Sequence, residues 1–241
     1  MVARAPVPRQ IHRVSTDRPG LIGWLYLAWA TIAIGLSLWI AGLTAESITR
    51  LLVLGFLLLQ VAGRRWLTAT FPALAPRTRF IVLGTLLAAV VEGFHMISMP
   101  VQPSLTVYAS TPPSQALRYY ATDLALTVPA YLVIFGVIWW FVTRFHYPLW
   151  TYILLFGAAQ ALGDGGIYYF AAAPGMIAFL PYPMTNYHAV NILPFLATRD
   201  GLPGERRTDG ARWLALPAVI LTYFACGALI KVVARALGLG A

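Results

Sequence analysis

The fold of this chain is decided by residues 80–100, which read FIVLGTLLAAVVEGFHMISMP. A helix needs about 20 apolar residues to cross a hydrocarbon core about 30 Å thick, and this run has that length. Glu92 and His95 stand three positions apart, so a helix places both on one face. Because a carboxylate and an imidazole are costly at membrane depth, the run predicts a membrane-spanning helix that carries a polar site.

The composition extends this prediction to the whole chain. Of the 241 residues, 59% are apolar and 10% are charged, whereas a soluble domain has about 25% charged residues. We therefore expect an all-α integral membrane protein, a bundle of six to seven transmembrane helices. Residues 1–20, with four arginines, predict a basic cytoplasmic arm, and residues 21–241 a single polytopic transmembrane domain.

The predicted spans are separated by short polar or basic segments, and two of them carry helix-breaking residues. Three glycines surround Asp164 at 163–166, and prolines stand at 181, 183 and 194. Glycine and proline weaken a helix interior, so kinked or interrupted helices are expected near residues 163–166 and 181–194. The apolar runs cover residues 21–43, 48–62, 80–100, 122–142, a stretch from 149, 175–196 and 213–233.

The formal charge of +9 is explained by basic residues in the connections between apolar runs. Such residues set the orientation of spans and contact anionic lipid headgroups, so we predict membrane lipids as partners and no nucleic acid. With seven spans and a cytoplasmic N-terminus, inside segments hold thirteen Lys and Arg and outside segments hold four. Arginine outnumbers lysine sixteen to one, which indicates a GC-rich coding bias and hence a bacterial source. We therefore predict a bacterial cytoplasmic membrane with the N-terminus on the cytoplasmic side.

Ionisable side chains inside the predicted spans are the candidates for function. Buried carboxylates and histidines exchange protons readily, which suits acid–base chemistry on an apolar substrate. Catalytic candidates are Glu92, His95, Asp164 and His188. Candidates for substrate binding are Asp123, Asn186, Tyr168, Tyr169 and Tyr187. The aromatic faces of the three tyrosines can stabilise positive charge. In the seven-span arrangement six of these residues fall at mid-membrane or in the outer half, which predicts one shared cavity: Glu92, His95, Asp123, Asp164, Asn186 and His188.

The leading hypothesis is a membrane-embedded enzyme that acts on a small lipid-soluble substrate, such as a lipid or an isoprenoid-like molecule. The first alternative is a small secondary transporter with an intramembrane carboxylate site, because broken helices bind ions in transporters. The second is a haem- or metal-binding protein or a structural subunit of a larger membrane complex, in which polar groups join helices. No metal-ligand spacing supports a particular ion, so no cofactor is assigned, and self-association stays open.

Overall fold

The computed structural model describes residues 19–239, so the predicted basic arm at 1–20 lies almost wholly outside the described residues. Within that range the chain forms nine α-helices, linked by turns and short 3₁₀ segments. The helices are α1 (Leu21–Ala41), α2 (Ala45–Ala62), α3 (Arg64–Thr68), α4 (Pro76–His95), α5 (Pro113–Arg144), α6 (Leu149–Ala161), α7 (Ile167–Ala172), α8 (Pro181–Thr198) and α9 (Ala215–Ala236).

Five helices are long and apolar enough to cross a membrane: α1, α2, α4, α5 and α9 with the turn before it. Their outer faces expose large apolar side chains, among them Trp39 at 80%, Leu59 at 71% and Leu229 at 63%. Soluble proteins rarely expose apolar surface on this scale. These features confirm the prediction of a helical membrane protein, while six to seven spans stays a prediction.

The centre of the bundle is α8, which packs against α1, α2, α4 and α6. Most of its side chains are buried, including the polar residues Thr185, His188 and Asn191. Around it, α5 packs on α4 and α9, and α9 packs on α6. A helix that is buried on most of its faces lies in the interior of a bundle rather than at its surface.

The predicted interruption at 163–166 is present in the structure. Between α6 and α7 the helix widens into a π turn, with Asp164 at φ −82° and ψ 33° and Gly165 at φ +97°. Only glycine adopts such a positive φ without steric cost. The neighbouring Gly163 lies against α9, where an added Cβ would stand 2.8 Å from Cβ of Tyr223. The glycines thus allow both the break and the close contact with α9.

The expected interruption near 181–194 is absent, because α8 is one helix from Pro181 to Thr198, and a kink in this range stays a prediction. Pro181 and Pro183 stand in its first turn, where a missing N–H breaks no helical hydrogen bond. Pro194 stands in the last part of the helix, and the Thr198 hydroxyl donates to its carbonyl at 2.7 Å. The irregular backbone instead precedes α8, as a 3₁₀ segment at Pro174–Phe179.

The three basic connections lie together at one end of the bundle, called the basic end. Arg79, at the start of α4, donates to the carbonyl of Ala197 at the end of α8 at 3.0 Å. The backbone N–H of His146, between α5 and α6, donates to the carbonyl of Arg207 at 2.9 Å. Partial burial and the adjacent Arg206 and Arg212 lower the pKa of His146. The segments around 79, 146 and 207 therefore share one end.

The other connections meet at the opposite end of the bundle. The Thr49 hydroxyl, near the start of α2, donates to the carbonyl of Phe94 near the end of α4 at 3.0 Å. The Ser104 hydroxyl, between α4 and α5, donates to the carbonyl of Leu239 after α9 at 3.1 Å. The start of α2, the α4–α5 connection and the end of α9 thus share this end.

Candidate functional site

A cavity of about 1340 Å³ opens between the helices at the end opposite the basic end. Pockets for drug-sized ligands have volumes of about 300–1,000 Å³, so this one accommodates a lipid-sized molecule. Seven of the nine predicted site residues line it: Glu92, His95, Asp164, Tyr168, Tyr169, Asn186 and Tyr187. Residues from separate spans thus meet in one space, as the sequence predicts.

Glu92 lies on the α4 wall of the cavity and is held by a residue of α5. The Tyr131 hydroxyl donates a hydrogen bond to Oε1 of Glu92. A phenol that donates to one carboxylate oxygen fixes the orientation of the other. This bond makes Tyr131 the partner of Glu92, although the sequence suggests His95 for that position.

Asp164 reaches the cavity from the π turn between α6 and α7. The Tyr187 hydroxyl of α8 donates to its Oδ2 at 2.5 Å. Tyr223 of α9 stands edge-on to Tyr187, with ring centroids 6.0 Å apart, and its hydroxyl accepts from Nε2 of Gln160 at 3.2 Å. Three helices therefore fix the position of a carboxyl group on an otherwise irregular turn.

The two carboxyl groups face the same cavity from different elements, Glu92 from α4 and Asp164 from the π turn. A site with two carboxyl groups can donate a proton from one group in its acid form and accept a proton at the other as a carboxylate.

A second cluster in the cavity surrounds Arg50 of α2. This side chain is 3% exposed, and its Nη1 donates to Oδ1 of Asn186 on α8 at 2.6 Å. Its guanidinium lies 4.3 Å from the ring centroid of Tyr182. His95 interacts with Arg50 and with the side chain of Asn186. The two predicted residues His95 and Asn186 are therefore brought together by an arginine that the prediction leaves out of the site.

His188 and Asp123 do not line the cavity. The His188 Nε2 is hydrogen-bonded to the Tyr26 hydroxyl of α1, and its Nδ1 is buried without a hydrogen-bond partner. Asp123 is completely buried and accepts from the Val101 N–H at 2.8 Å. That bond attaches the α4–α5 connection to α5, so both side chains hold elements of the bundle together.

Metal binding has no geometric support in residues 19–239. In this range no three or more His, Cys, Asp or Glu side chains converge into a group that could hold an ion. Tyr26 engages His188, while His95 faces the cavity, so the two histidines do not form one axial pair. The cavity wall offers carboxyl, phenol, imidazole, amide and guanidinium groups, together with Lys231 and Cys226.

Four residues described above for the site, Arg50, Tyr131, Tyr182 and Tyr223, are missing from the sequence prediction. Arg50 carries a usable signal, since it is a charged residue inside an apolar run. The three tyrosines carry no such signal in the sequence. A tyrosine in an apolar helix can face either lipid or protein, and only the positions of the neighbouring helices decide which.

Comparisons of the chain with the models of known protein families, with curated proteins and with solved structures found no match.

Proposed function

We propose that this protein is a membrane-embedded enzyme that performs acid–base chemistry on a lipid-soluble substrate. The observation that carries this proposal is the pair Glu92 and Asp164, which face one large cavity from different elements. Each carboxyl group accepts a hydrogen bond from a tyrosine of another helix, Tyr131 and Tyr187 respectively. A purely structural clamp would have no need of a cavity of this size between the two groups.

The arrangement supports proton transfer at both ends of a bound substrate. One carboxyl group in its acid form protonates a double bond, an epoxide or an ester of the substrate. The other, as carboxylate, accepts a proton or activates water. Tyr168, Tyr169 and Tyr223 also line the cavity, and the face of an aromatic ring can stabilise developing positive charge. The reaction classes this favours are isomerisation, cyclisation, hydration and hydrolysis of a lipid or isoprenoid-like molecule.

The proposal places the protein in a bacterial cytoplasmic membrane with its N-terminus inside. Basic connections prefer the cytoplasmic side, and those of this chain share one end of the bundle. The antiparallel pair α6 and α8 supplies two further crossings beyond the five apolar helices, which makes seven. The cavity then opens toward the outer leaflet, where an apolar substrate enters from the lipid.

The enzyme proposal is tested with purified protein in phosphatidylcholine nanodiscs, incubated with a lipid extract of the producing cells. Mass spectrometry of the extract should show a component that is consumed and a product that is isomeric with it or differs by one water, or, for ester hydrolysis, two products whose masses add up to the component plus one water. Glu92→Gln and Asp164→Asn should each lower the initial rate about 10²–10⁴-fold, the usual contribution of a general acid or base.

The matched control for this experiment is Glu46→Gln, since Glu46 lines the same cavity but is exposed. Its rate should equal that of the unmodified protein. An extract left unchanged, or Glu92→Gln and Asp164→Asn variants with the full rate, would contradict the proposal.

Transport is the second candidate, favoured by the π turn that places Asp164 at the cavity wall. Interrupted helices with an intramembrane carboxylate bind ions and substrates in many transporters. The same extract distinguishes the two functions. Transport would leave its components chemically unchanged while vesicles accumulate one of them only under a pH gradient, and Asp164→Asn would abolish that accumulation.

A further inference from the structure

Arg50 presents a positive charge to the cavity for which the described chain offers no counter-ion. The residue is 3% exposed, yet none of the ion pairs among residues 19–239 includes it. Its Nε is buried and has no hydrogen-bond partner. A guanidinium within an apolar helix is costly unless an anion or a set of acceptors compensates it.

The neighbours of Arg50 position this charge without neutralising it. Asn186 accepts one hydrogen bond at 2.6 Å, and Tyr182 offers a ring face at 4.3 Å. Within the described chain Nη2 donates to no acceptor. Glu46, one turn earlier on α2, lines the cavity but forms no ion pair with Arg50. The guanidinium is therefore held in a fixed orientation with donors left for a ligand.

The carboxyl groups of the cavity are engaged elsewhere. Glu92 accepts from Tyr131, and Asp164 accepts from Tyr187. The cavity thus has a buried cation at Arg50 and an acid–base part at Glu92 and Asp164, while its other lining residues are mostly apolar or aromatic and include the exposed Glu46 and Lys231. This polarity matches an elongated molecule with an anionic group at one end.

The depth of Arg50 points to the same kind of ligand. It is the sixth residue of α2, which places it about 8 Å beyond the first residue at 1.5 Å per residue. The helix α2 has 18 residues, so it is about 27 Å long, close to the thickness of a hydrocarbon core of about 30 Å. Arg50 therefore lies inside the hydrocarbon layer, in the third nearest the end of the bundle at which the cavity opens. An amphipathic molecule would place its head at Arg50 and its chain deeper in the bundle.

We propose that Arg50, oriented by Asn186 and Tyr182 and adjacent to His95, binds the phosphate or carboxylate head of an amphipathic substrate. This subsite rests on the enzymatic function proposed above and names its substrate class: an anionic, lipid-soluble molecule. The forked guanidinium suits such a head, because it can donate two parallel hydrogen bonds to one carboxylate or phosphate.

Binding to the protein in phosphatidylcholine nanodiscs tests this subsite, with decyl phosphate, decanol and inorganic phosphate as probes. Tryptophan fluorescence titration should show that decyl phosphate binds about 10- to 100-fold more tightly than decanol, the value of charged hydrogen bonds. Inorganic phosphate, which lacks the chain, should bind more weakly than decyl phosphate. Arg50→Gln should remove the preference over decanol, and Arg50→Lys should retain part of it.

The matched control is Lys231→Gln, which removes another cation that lines the cavity but is exposed. It should leave the preference intact. An equal loss in Lys231→Gln and Arg50→Gln would overturn the subsite, because the effect would then be general electrostatics. Equal binding of decanol and decyl phosphate by the unmodified protein would overturn it without any variant, and inorganic phosphate binding as tightly as decyl phosphate would overturn the amphipathic substrate.

The failure of this subsite is distinguishable from the failure of the proposed function. Glu92→Gln should bind decyl phosphate as the unmodified protein does while losing turnover of the lipid extract. Turnover that depends on Glu92 but not on Arg50 would retain the enzyme and remove the subsite. Binding that depends on Arg50 without any turnover would do the reverse.

Discussion

At the scale of single residues, the cavity is organised by hydroxyl groups that orient carboxyl groups. Tyr131 reaches Glu92 from α5, and Tyr187 reaches Asp164 from α8. Each bond joins two elements, so it stabilises the bundle as well as the site. Loss of either bond should therefore lower the free energy of unfolding, whatever the substrate is.

Tyr131→Phe should lower the free energy of unfolding by about 1–3 kcal/mol, because it leaves a partly buried carboxylate oxygen without its donor. The measurement is the midpoint of unfolding by sodium dodecyl sulfate in mixed micelles, followed by circular dichroism. Tyr108→Phe makes the same chemical change at a side chain that is 67% exposed and should leave the midpoint unchanged. Equal midpoints for both variants would show that the Tyr131 hydroxyl contributes nothing.

Not every ionisable residue that the sequence places in an apolar run lies in the cavity. Ionisable groups in apolar runs predicted Glu92, His95 and Asp164, and all three line the cavity. The same rule selected His188 and Asp123, which instead bond to Tyr26 and Val101. The free-energy cost of burying an ionisable side chain in the membrane indicates that the side chain has a partner. Only the packing of the helices decides whether that partner is another residue or a ligand.

For the helices, the lengths of the apolar runs predicted where each helix lies in the sequence but not where it begins and ends. The sequence placed the start of the fourth span near 122, whereas α5 begins at Pro113. The first two turns of α5 are polar and precede the apolar run, so a search for apolar runs does not find the true start of this helix. The prolines of α8 predicted an interruption that is absent, because the effect of a proline depends on its position in a helix. That position is known only once the ends of the helix are known.

The break at Gly165 should be sensitive to a single added methyl group. Gly165→Ala forces an L-residue to φ +97° and should cost about 1–2 kcal/mol of unfolding free energy. Gly136→Ala, inside α5 with open space around its Cβ position, should be neutral or stabilise by up to about 1 kcal/mol. Both are measured by the same unfolding midpoint. A destabilisation of equal size at the two positions would contradict the role of the positive φ.

At the scale of the whole molecule, the hydrogen bonds between connections determine the parity of the crossings. The helix α6 starts at the basic end, beside His146, and α8 finishes there, beside Ala197. Together they go into the bundle and return, so they add no net crossing. The remaining five long helices form an odd number, which places the end of α9 opposite the basic end, beside Ser104. Parity therefore does not depend on how deeply α6 and α8 penetrate.

This parity predicts which surface positions share a side of the membrane. In a Cys226→Ala background, Ser110→Cys, between α4 and α5, should react with a membrane-impermeant maleimide applied to intact cells. Thr208→Cys, between α8 and α9, should react only after the membrane is permeabilised. Both positions are exposed, so a difference reports sidedness rather than burial. Because the basic end holds most of the cations, it should be the cytoplasmic one. Labelling of both positions from outside would contradict the parity, and labelling of Thr208→Cys alone would reverse the orientation and place the cavity at the cytoplasmic leaflet.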